Sequence, residues 1–421
     1  MQATFLIYSF LYLVALMFLL PFEYFKRPVS LRKRWIREKF GFFKKNAKIE
    51  AFKPKILIHA VSVGEVVAVS RMIKELSSKY EIILSTITDT GQKIAQDRFK
   101  NHNVKVIYIP FDIPFAINKT LRHFNPVALI LTETELWPNL IRISSKKIPV
   151  ILVNGRMSDK SFNGYSKIKF FIKSLLKRLT LLCVQEERYK ERFLNIGAEE
   201  QKIHVTGNMK FDIELREIHF PWENAIEQPV ILAGSTQEPE EEIILDAFLK
   251  LNITGTLIIA PRHPERFEAV ETLIKRKIAE SSKEISFSKL SEMPSVFSVK
   301  PLAYVVLVDQ MGILGSLYRI CDIAIIGGSF IAHGGQNPLE PAYWRKPIVC
   351  GPFMHNFPFI EEFLNHKACI MIDKASLPEI LKELAENSEL RQTIGNRAYQ
   401  LFLNKSGATE KTLRLIEKVI P

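Results

Sequence analysis

Cysteine is scarce in this chain: four residues in 421, Cys183, Cys321, Cys350 and Cys369, at no paired spacing. Three of them lie inside apolar runs, as small buried hydrophobes do, which argues against a disulfide framework and fits a reducing compartment. The nine histidines show no ligand spacing either, so neither residue type points to zinc. No Asp-x-Asp occurs, and with it is missing the usual carboxylate pair that holds a divalent metal on a nucleotide diphosphate. Gly-x-x-x-x-Gly-Lys and Gly-x-Gly-x-x-Gly, two loops that cradle phosphates, are also absent. Metal-free chemistry without a resident cofactor is expected. Aromatic and basic residues do not interleave as in nucleic-acid modules, so nucleic acid is not an expected partner.

What is present begins with an apolar run. Ala3 to Phe22 holds only Thr4 and Ser9 as plainly polar members, and about 20 apolar residues span a bilayer core of roughly 30 Å. Nothing basic precedes the run and Leu19-Leu20-Pro21-Phe22 is no cleavage site, so an uncleaved anchor is expected rather than a secretory signal. Ten Lys and Arg follow between Lys26 and Lys48 against Glu38 alone, which puts that side in the cytoplasm. The formal net charge of the whole chain is +13, most of it in this cluster. Such a distribution suits an anionic membrane surface or an anionic substrate.

From Lys55 onward short apolar strands alternate with helical patterns, the signature of parallel sheets wrapped by helices. The expected strands are Ile56–Ala60, Ile82–Thr86, Val104–Ile109, Val127–Leu131, Val150–Val153 and Leu181–Val184, with helices such as Val66–Lys79 and Tyr189–Ile196 between them. The pattern lapses around Asp212 to Gln228 and restarts with Val230–Ala233, Thr256–Ala260, Tyr304–Val308, Ile323–Ile326, Ile348–Cys350 and Ala368–Ile372. The expected organisation is an anchor (1–25), a basic juxtamembrane segment (26–50), a first domain (51–215), a linker (216–228) and a second domain (229–421). Both domains should be doubly wound α/β units facing a cleft, with ligands at the carboxyl ends of the strands. Lys160 to Leu179 reads as one basic amphipathic helix, either resting on an anionic membrane or covering a sheet.

The strand ends carry the candidate chemistry. Val61-Ser62-Val63-Gly64-Glu65 follows the first strand, and Glu65 there reads equally as a general base or as an acid stabilising a helix dipole. Thr132-Glu133-Thr134-Glu135-Leu136-Trp137-Pro138-Asn139 follows the fourth; Glu133 and Glu135 beside Glu65 would raise its pKa. Lys210 lies in Gly207-Asn208-Met209-Lys210-Phe211-Asp212 at the end of the first domain. In the second domain Pro261-Arg262 follows a strand, and a guanidinium there suits phosphate or ribose. Asp309-Gln310-Met311-Gly312-Ile313-Leu314 forms another glycine-bearing turn. The longest is Gly327-Gly328-Ser329-Phe330 to Gly334-Gly335-Gln336-Asn337-Pro338-Leu339-Glu340. Asn337 should cap a helix, Pro338 open it and Glu340 complete a capping box, leaving backbone N–H groups free for a phosphate.

Taken together these segments resemble the 3-deoxy-D-manno-octulosonic acid (Kdo) transferases of lipopolysaccharide synthesis. The resemblance rests on HAVSVGE (59–65), ETELWPN (133–139), VTGNMKFD (205–212), PRHPER (261–266) and GGSF…GGQNPLEPA (327–342), in the family's order across nearly the whole body. It implies the glycosyltransferase-B (GT-B) architecture, two Rossmann-like domains plus the N-terminal transmembrane helix. It also implies CMP-Kdo as donor and lipid IVA as acceptor at the cytoplasmic side of a bacterial inner membrane, whose anionic lipid would be a further partner. Glu65 would be the proton acceptor, and Glu133, Glu135 and Lys210 would stabilise the transition state. CMP would be held by Pro261, Arg262, Met311, Gly312, Ile313, Asn337, Pro338, Leu339 and Glu340. Ile313 stands where the family usually has glutamate. A GT-B enzyme using a UDP-sugar and a non-enzymatic module binding anionic lipid are the alternative readings.

Overall fold

The structure, a computed structural model, describes residues 2–44, 53–251, 253–293 and 303–420. Lys45 and Lys48 of the expected juxtamembrane cluster lie outside the described residues. The chain forms two compact units, Met1–Asp212 with Lys405–Pro421, and Ile213–Asn404.

The first unit holds a seven-stranded sheet: β1 (Lys55–His59), β2 (Glu81–Thr86), β3 (Val104–Tyr108), β4 (Ala128–Thr132), β5 (Val150–Gly155), β6 (Leu181–Val184) and β7 (Ile203–Val205). The strands run in the order β3-β2-β1-β4-β5-β6-β7, every pair parallel. Central strands read as unbroken apolar runs because helices cover both faces. Alternate residues serve opposite layers: Leu57, Leu129 and Leu131 enter one core, Ile56, Ile58 and Ile130 the other.

The second unit repeats the design with β8 (Val230–Thr236), β9 (Gly255–Pro261), β10 (Ser286–Lys289), β11 (Ala303–Leu307), β12 (Ile323–Ile326), β13 (Ile348–Cys350) and β14 (Ile370–Met371), in the order β10-β11-β9-β8-β12-β13-β14. In each sheet the order reverses beside the first strand, between β1 and β4 and between β8 and β12, the switch points where doubly wound sheets bind ligands.

Several expectations need correction. β7 and β10 escape a search for apolar runs because they are edge strands: β7 buries only Ile203 and β10 buries nothing. The helix expected over Val66–Lys79 is two, α3 (Val63–Ala68) and α4 (Ser70–Lys79); the Ser70 hydroxyl donates to the Val66 carbonyl at the break. The basic helix expected over Lys160–Leu179 divides at Ile168. Its first piece, Asp159–Lys167, buries no residue, whereas Lys169–Leu176 buries Ile172, Leu175 and Leu176 over the sheet. The second domain does not run to residue 421. From Lys405 the chain returns to the first unit, where Asp212 accepts the Gly407 N–H at 2.6 Å and Ala408, Ile416 and Ile420 join the core.

The N-terminal run forms a single helix, α1 (Gln2–Lys26), whose stretch from Thr4 has a mean hydropathy of 2.3, long and apolar enough to cross a membrane. One side of it is nevertheless packed against the unit along its length. Phe5 is buried with its ring 5.3 Å from Phe171, Tyr8 donates to Asp112 at 2.9 Å and Asn139 donates to Ser9 at 2.9 Å. Tyr12, Leu16, Leu20 and Tyr24 rest on the Trp35–Tyr108–Phe111 cluster, and Arg27 stacks over Trp35 at 4.3 Å. The opposite face leaves Leu6, Phe10, Met17, Phe18, Phe22 and Phe25 exposed.

Candidate active site

In the first unit the loops after β1 and β4, on either side of the switch point, bring three glutamates together. Ser62 caps α3 by accepting the Glu65 N–H at 3.4 Å, and Glu65 answers from the third helical position. Its Oε2 accepts from the Val61 N–H at 2.9 Å and the Thr132 hydroxyl at 2.5 Å, and its Oε1 from the Ser62 hydroxyl at 3.1 Å. Glu65 is 8% exposed. Burial raises its pKa against those three donors, with the Glu133 charge pushing the same way. Glu65 is thus an acid in the first turn of a helix and a buried carboxylate held by three donors.

Glu133 holds a left-handed backbone at φ 52° and is also buried, and its carboxylate receives Arg156 Nε at 2.6 Å. Glu135 accepts the Trp137 indole N–H at 2.9 Å. Burial first, then the Glu65 charge, pushes the pKa of Glu135 up to about 7. Lys210, half-buried, joins this group. Burial lowers its pKa, while the charges of Glu133 and Glu65 pull it back up and Arg156 pushes it down. All four residues singled out in the first unit thus belong to one electrostatic cluster.

Arg156, Asn154 and Asp112 were not singled out from the sequence. Asn154 Oδ1 accepts the Met209 N–H at 3.0 Å and so fixes the short turn that carries Lys210. Asp112 accepts the N–H groups of Asn139 and Leu140 at 3.0 and 2.8 Å, capping the helix Pro138–Ser144 that follows Glu135 and tying it to Tyr8 of α1. Only strand-end position could have signalled Arg156 and Asn154, which sit where β5 closes. His59 is buried and neutral, its pKa lowered to about 3 by desolvation.

The second unit corrects one expectation. The N–H groups of Gly328 and Phe330 are not free for a phosphate. They donate to the carboxylate of Glu240 at 2.6 and 2.9 Å, and Gln237 N–H adds a third bond at 3.0 Å. Glu240 is fully buried in the first turn of the helix Glu240–Lys250. Gly327 lies so close to Ser235 that a Cβ would meet its carbonyl oxygen at 2.3 Å, which explains the glycine. The helix that follows starts at Leu339 rather than Pro338. Asn337 Oδ1 accepts the Leu339 N–H at 3.1 Å, and its side-chain amide donates to Glu340 Oε1 at 3.4 Å. Arg262 is exposed and its N–H pairs with Thr236 O at 2.9 Å. Met311 and Gly312 are exposed, Gly312 at φ 84°, while Ile313 rests partly on the apolar cluster beneath. Thr236 Oγ1 and Gln237 Nε2, at the switch point of this sheet, are buried without a hydrogen-bond partner. The sequence reading missed them with Glu240.

Among the described residues no group of three or more His, Cys, Asp or Glu is arranged to hold a metal ion. The profile of the family described as 3-deoxy-D-manno-octulosonic-acid transferase (kdotransferase) matches residues 34–213. The 3-deoxy-D-manno-octulosonic acid transferase of Haemophilus influenzae is 32% identical over 403 residues, covering 91% of this chain and 90% of that protein. A bifunctional glycosyltransferase/methyltransferase of Fusobacterium nucleatum is 35% identical over 91% of this chain but only 59% of its own length. In fold the chain is similar to Acinetobacter baumannii MurG, at 14% identity, covering 87% of this chain and 99% of that one, with a TM-score of 0.53. With two parallel seven-stranded doubly wound sheets and a relative this similar over nine-tenths of both lengths, the chain is a GT-B glycosyltransferase and belongs to the 3-deoxy-D-manno-octulosonic acid transferase family.

Proposed function

We propose that this enzyme transfers Kdo from CMP-Kdo to lipid IVA without a metal, with Glu65 as the proton acceptor. The observation that carries the reading is the buried carboxylate of Glu65 at the switch point of the first sheet. Its Oε2 is filled by Val61 and Thr132, whereas Oε1 takes only the Ser62 hydroxyl among the described residues. Oε1 therefore has a lone pair left for the hydroxyl of an acceptor, and the raised pKa makes Glu65 a stronger base than an ordinary carboxylate.

The acceptor hydroxyl gives its proton to Glu65 as its oxygen bonds to the anomeric carbon of Kdo. The bond from that carbon to the phosphate oxygen breaks, and CMP leaves with the electron pair. Lys210 offers positive charge to the developing negative oxygen, the Arg156-paired Glu133 holds Lys210, and Glu133 and Glu135 hold the sugar. On the second unit we assign CMP to Pro261 and Arg262, to the exposed Met311-Gly312-Ile313 turn and to Asn337-Pro338-Leu339-Glu340. The unpartnered Thr236 and Gln237 are additional donor contacts.

The localisation we propose is the cytoplasmic side of a bacterial inner membrane. Phe5 at one end of α1 and Arg27 just beyond the other pack on the same unit. That favours α1 embedded along the membrane by its exposed apolar face over a helix crossing away from the body. Incubation of the full chain with lipid IVA and a CMP-Kdo-generating system tests the reaction. A product heavier by one or more Kdo residues is expected. An unchanged lipid, together with calorimetric binding of UDP in preference to CMP, would replace this reading with a UDP-sugar enzyme.

A further inference from the structure

Glu240 has a neighbour that the transfer reaction leaves unused. Glu241, the next residue in the first turn of the helix Glu240–Lys250, is also buried, at 1% exposure. The two carboxylates serve different loops. Glu240 takes the N–H groups of Gly328 and Phe330 and so fixes the glycine turn after β12. Gly335 N–H donates to the Gly328 carbonyl at 2.8 Å, which carries that hold along the turn to just before Asn337. Glu241 Oε1 instead accepts Arg266 Nη1 at 2.5 Å, and Arg266 closes the short turn Pro264–Arg266 in the loop after β9.

That loop bears Arg262, and the sheet does little to hold it. The ladder between β8 and β9 ends at the pair Thr236–Pro261, after a register shift between Gly234 and Thr236. Beyond it Arg262 N–H donates to Thr236 O at 2.9 Å and Arg266 N–H to His263 O at 3.1 Å; of these only the first leaves the loop. Arg266 also comes to 3.9 Å from Glu238, but that acid is 83% exposed and contributes little. The bond to Glu241 is therefore the side-chain link between this loop and the start of the helix.

Stability alone is a poor reason for such a pair. Removing both charges from water offsets much of their attraction, and Glu241 Oε2 is buried with no hydrogen-bond partner. The same helix makes more exposed pairs on its outer face, where Lys277 meets Glu242 at 2.8 Å and Asp246 at 2.9 Å. What the buried pair supplies is geometry, a fixed link from the helix start to the Arg262 loop beside the fixed link from Glu240 to the glycine turn. Thr236 and Gln237, with their buried unpartnered Oγ1 and Nε2, lie in the chain just before the two glutamates.

We propose that Glu241 and Arg266 are positioning residues for the donor. The adjacent glutamates act as one bracket: Glu240 sets the glycine turn, and Glu241, through Arg266, sets Arg262, so that two walls of the CMP site stand at a fixed separation before the nucleotide arrives. The inference rests on the assignment of CMP to the second unit. A preformed site loses less freedom on binding, and that is how the pair acts on affinity.

The test compares CMP binding by calorimetry, and donor and acceptor kinetics, in the full chain as wild type and as Glu241→Met/Arg266→Met. The double variant leaves no buried charge unpaired, so it should keep a cooperative melt. It should bind CMP at least about ten-fold more weakly, with KM for CMP-Kdo raised by a similar factor and kcat and the acceptor KM within about two-fold, the pattern of lost donor binding without lost chemistry. Arg266→Lys, which keeps one charged donor for Oε1, should bind CMP within about three-fold of wild type. If the double variant does not fold, Glu241→Asp decides. It keeps the charge pair but shortens the bracket by a methylene, and should weaken CMP by at least about three-fold. Wild-type CMP affinity in the double variant or in Glu241→Asp, or a fall in kcat with the donor KM unchanged, would overturn the proposal while leaving the donor assignment intact. A wild type that binds no CMP would remove that assignment and the inference with it.

Discussion

Glu65 and Glu240 occupy corresponding places in the two units. Each sits in the first turn of the helix after the sheet's first strand, β1 or β8, beside the switch point. Their surroundings differ in kind. Glu240 is filled by three main-chain N–H groups, from Gln237, Gly328 and Phe330, and is fully buried. Glu65 takes one main-chain N–H and two hydroxyls, and keeps company with Glu133 and Glu135. A carboxylate saturated by rigid amides is a strut that shapes a glycine turn. A carboxylate held by one amide and two hydroxyls, with a lone pair to spare on Oε1 and like charges around it, suits the proton-accepting role we propose for it. Position in the fold is the same for both; the donors differ.

That contrast can be broken from the second unit first. Glu240→Ala would leave three N–H groups without acceptors, at a cost of the order of 3–6 kcal/mol in denaturant unfolding. A loss below about 1 kcal/mol would mean that Glu240 is no strut. In the first unit, Glu135→Gln sharpens the comparison through pH. The pKa of Glu135 is raised from its ordinary 4.5 to about 7, so the folded state binds the extra proton between those values. Wild-type stability should therefore fall as pH rises through that window, and the variant should lack that slope. Above pH 7 the variant should be more stable by about 1–3 kcal/mol, and chemical denaturation at several pH values reads the difference. The smallest effect is expected at Ile313, whose side chain has an apolar neighbourhood of its own. Ile313→Glu should change CMP affinity less than about three-fold by calorimetry if the turn binds through its backbone, a difference below about 1 kcal/mol. Ten-fold tighter binding would show that a side-chain contact had been missing.

Much of the fold was legible because parallel central strands are apolar on both faces, which makes runs such as Leu57 to Ile58 and Ile323 to Ile326 stand out from the helices around them. The edge strands β7 and β10 were not, since half-exposed strands keep polar residues. The return of the chain to the first unit after Lys405 was hidden for another reason: it depends on Asp212 meeting Gly407 across 195 positions. The same limit applied at the site. Glu65, Glu133 and Glu135 could be singled out at strand ends and Lys210 at the end of the first domain, whereas Arg156, Asn154 and Glu240 take their places only through partners far away in sequence. The glycine turn at 327–335 was read as open, because nothing local reveals that Glu240 fills it.

The most direct measurement is Kdo transfer by Glu65→Gln, with product mass and CMP-Kdo binding followed on the same preparation. The substitution keeps the side chain's shape and removes its basicity. Turnover should fall by about 10²–10⁴-fold while the donor still binds. Turnover within a few-fold of wild type, in a protein that still binds CMP-Kdo, would contradict the assignment of Glu65 as the proton acceptor.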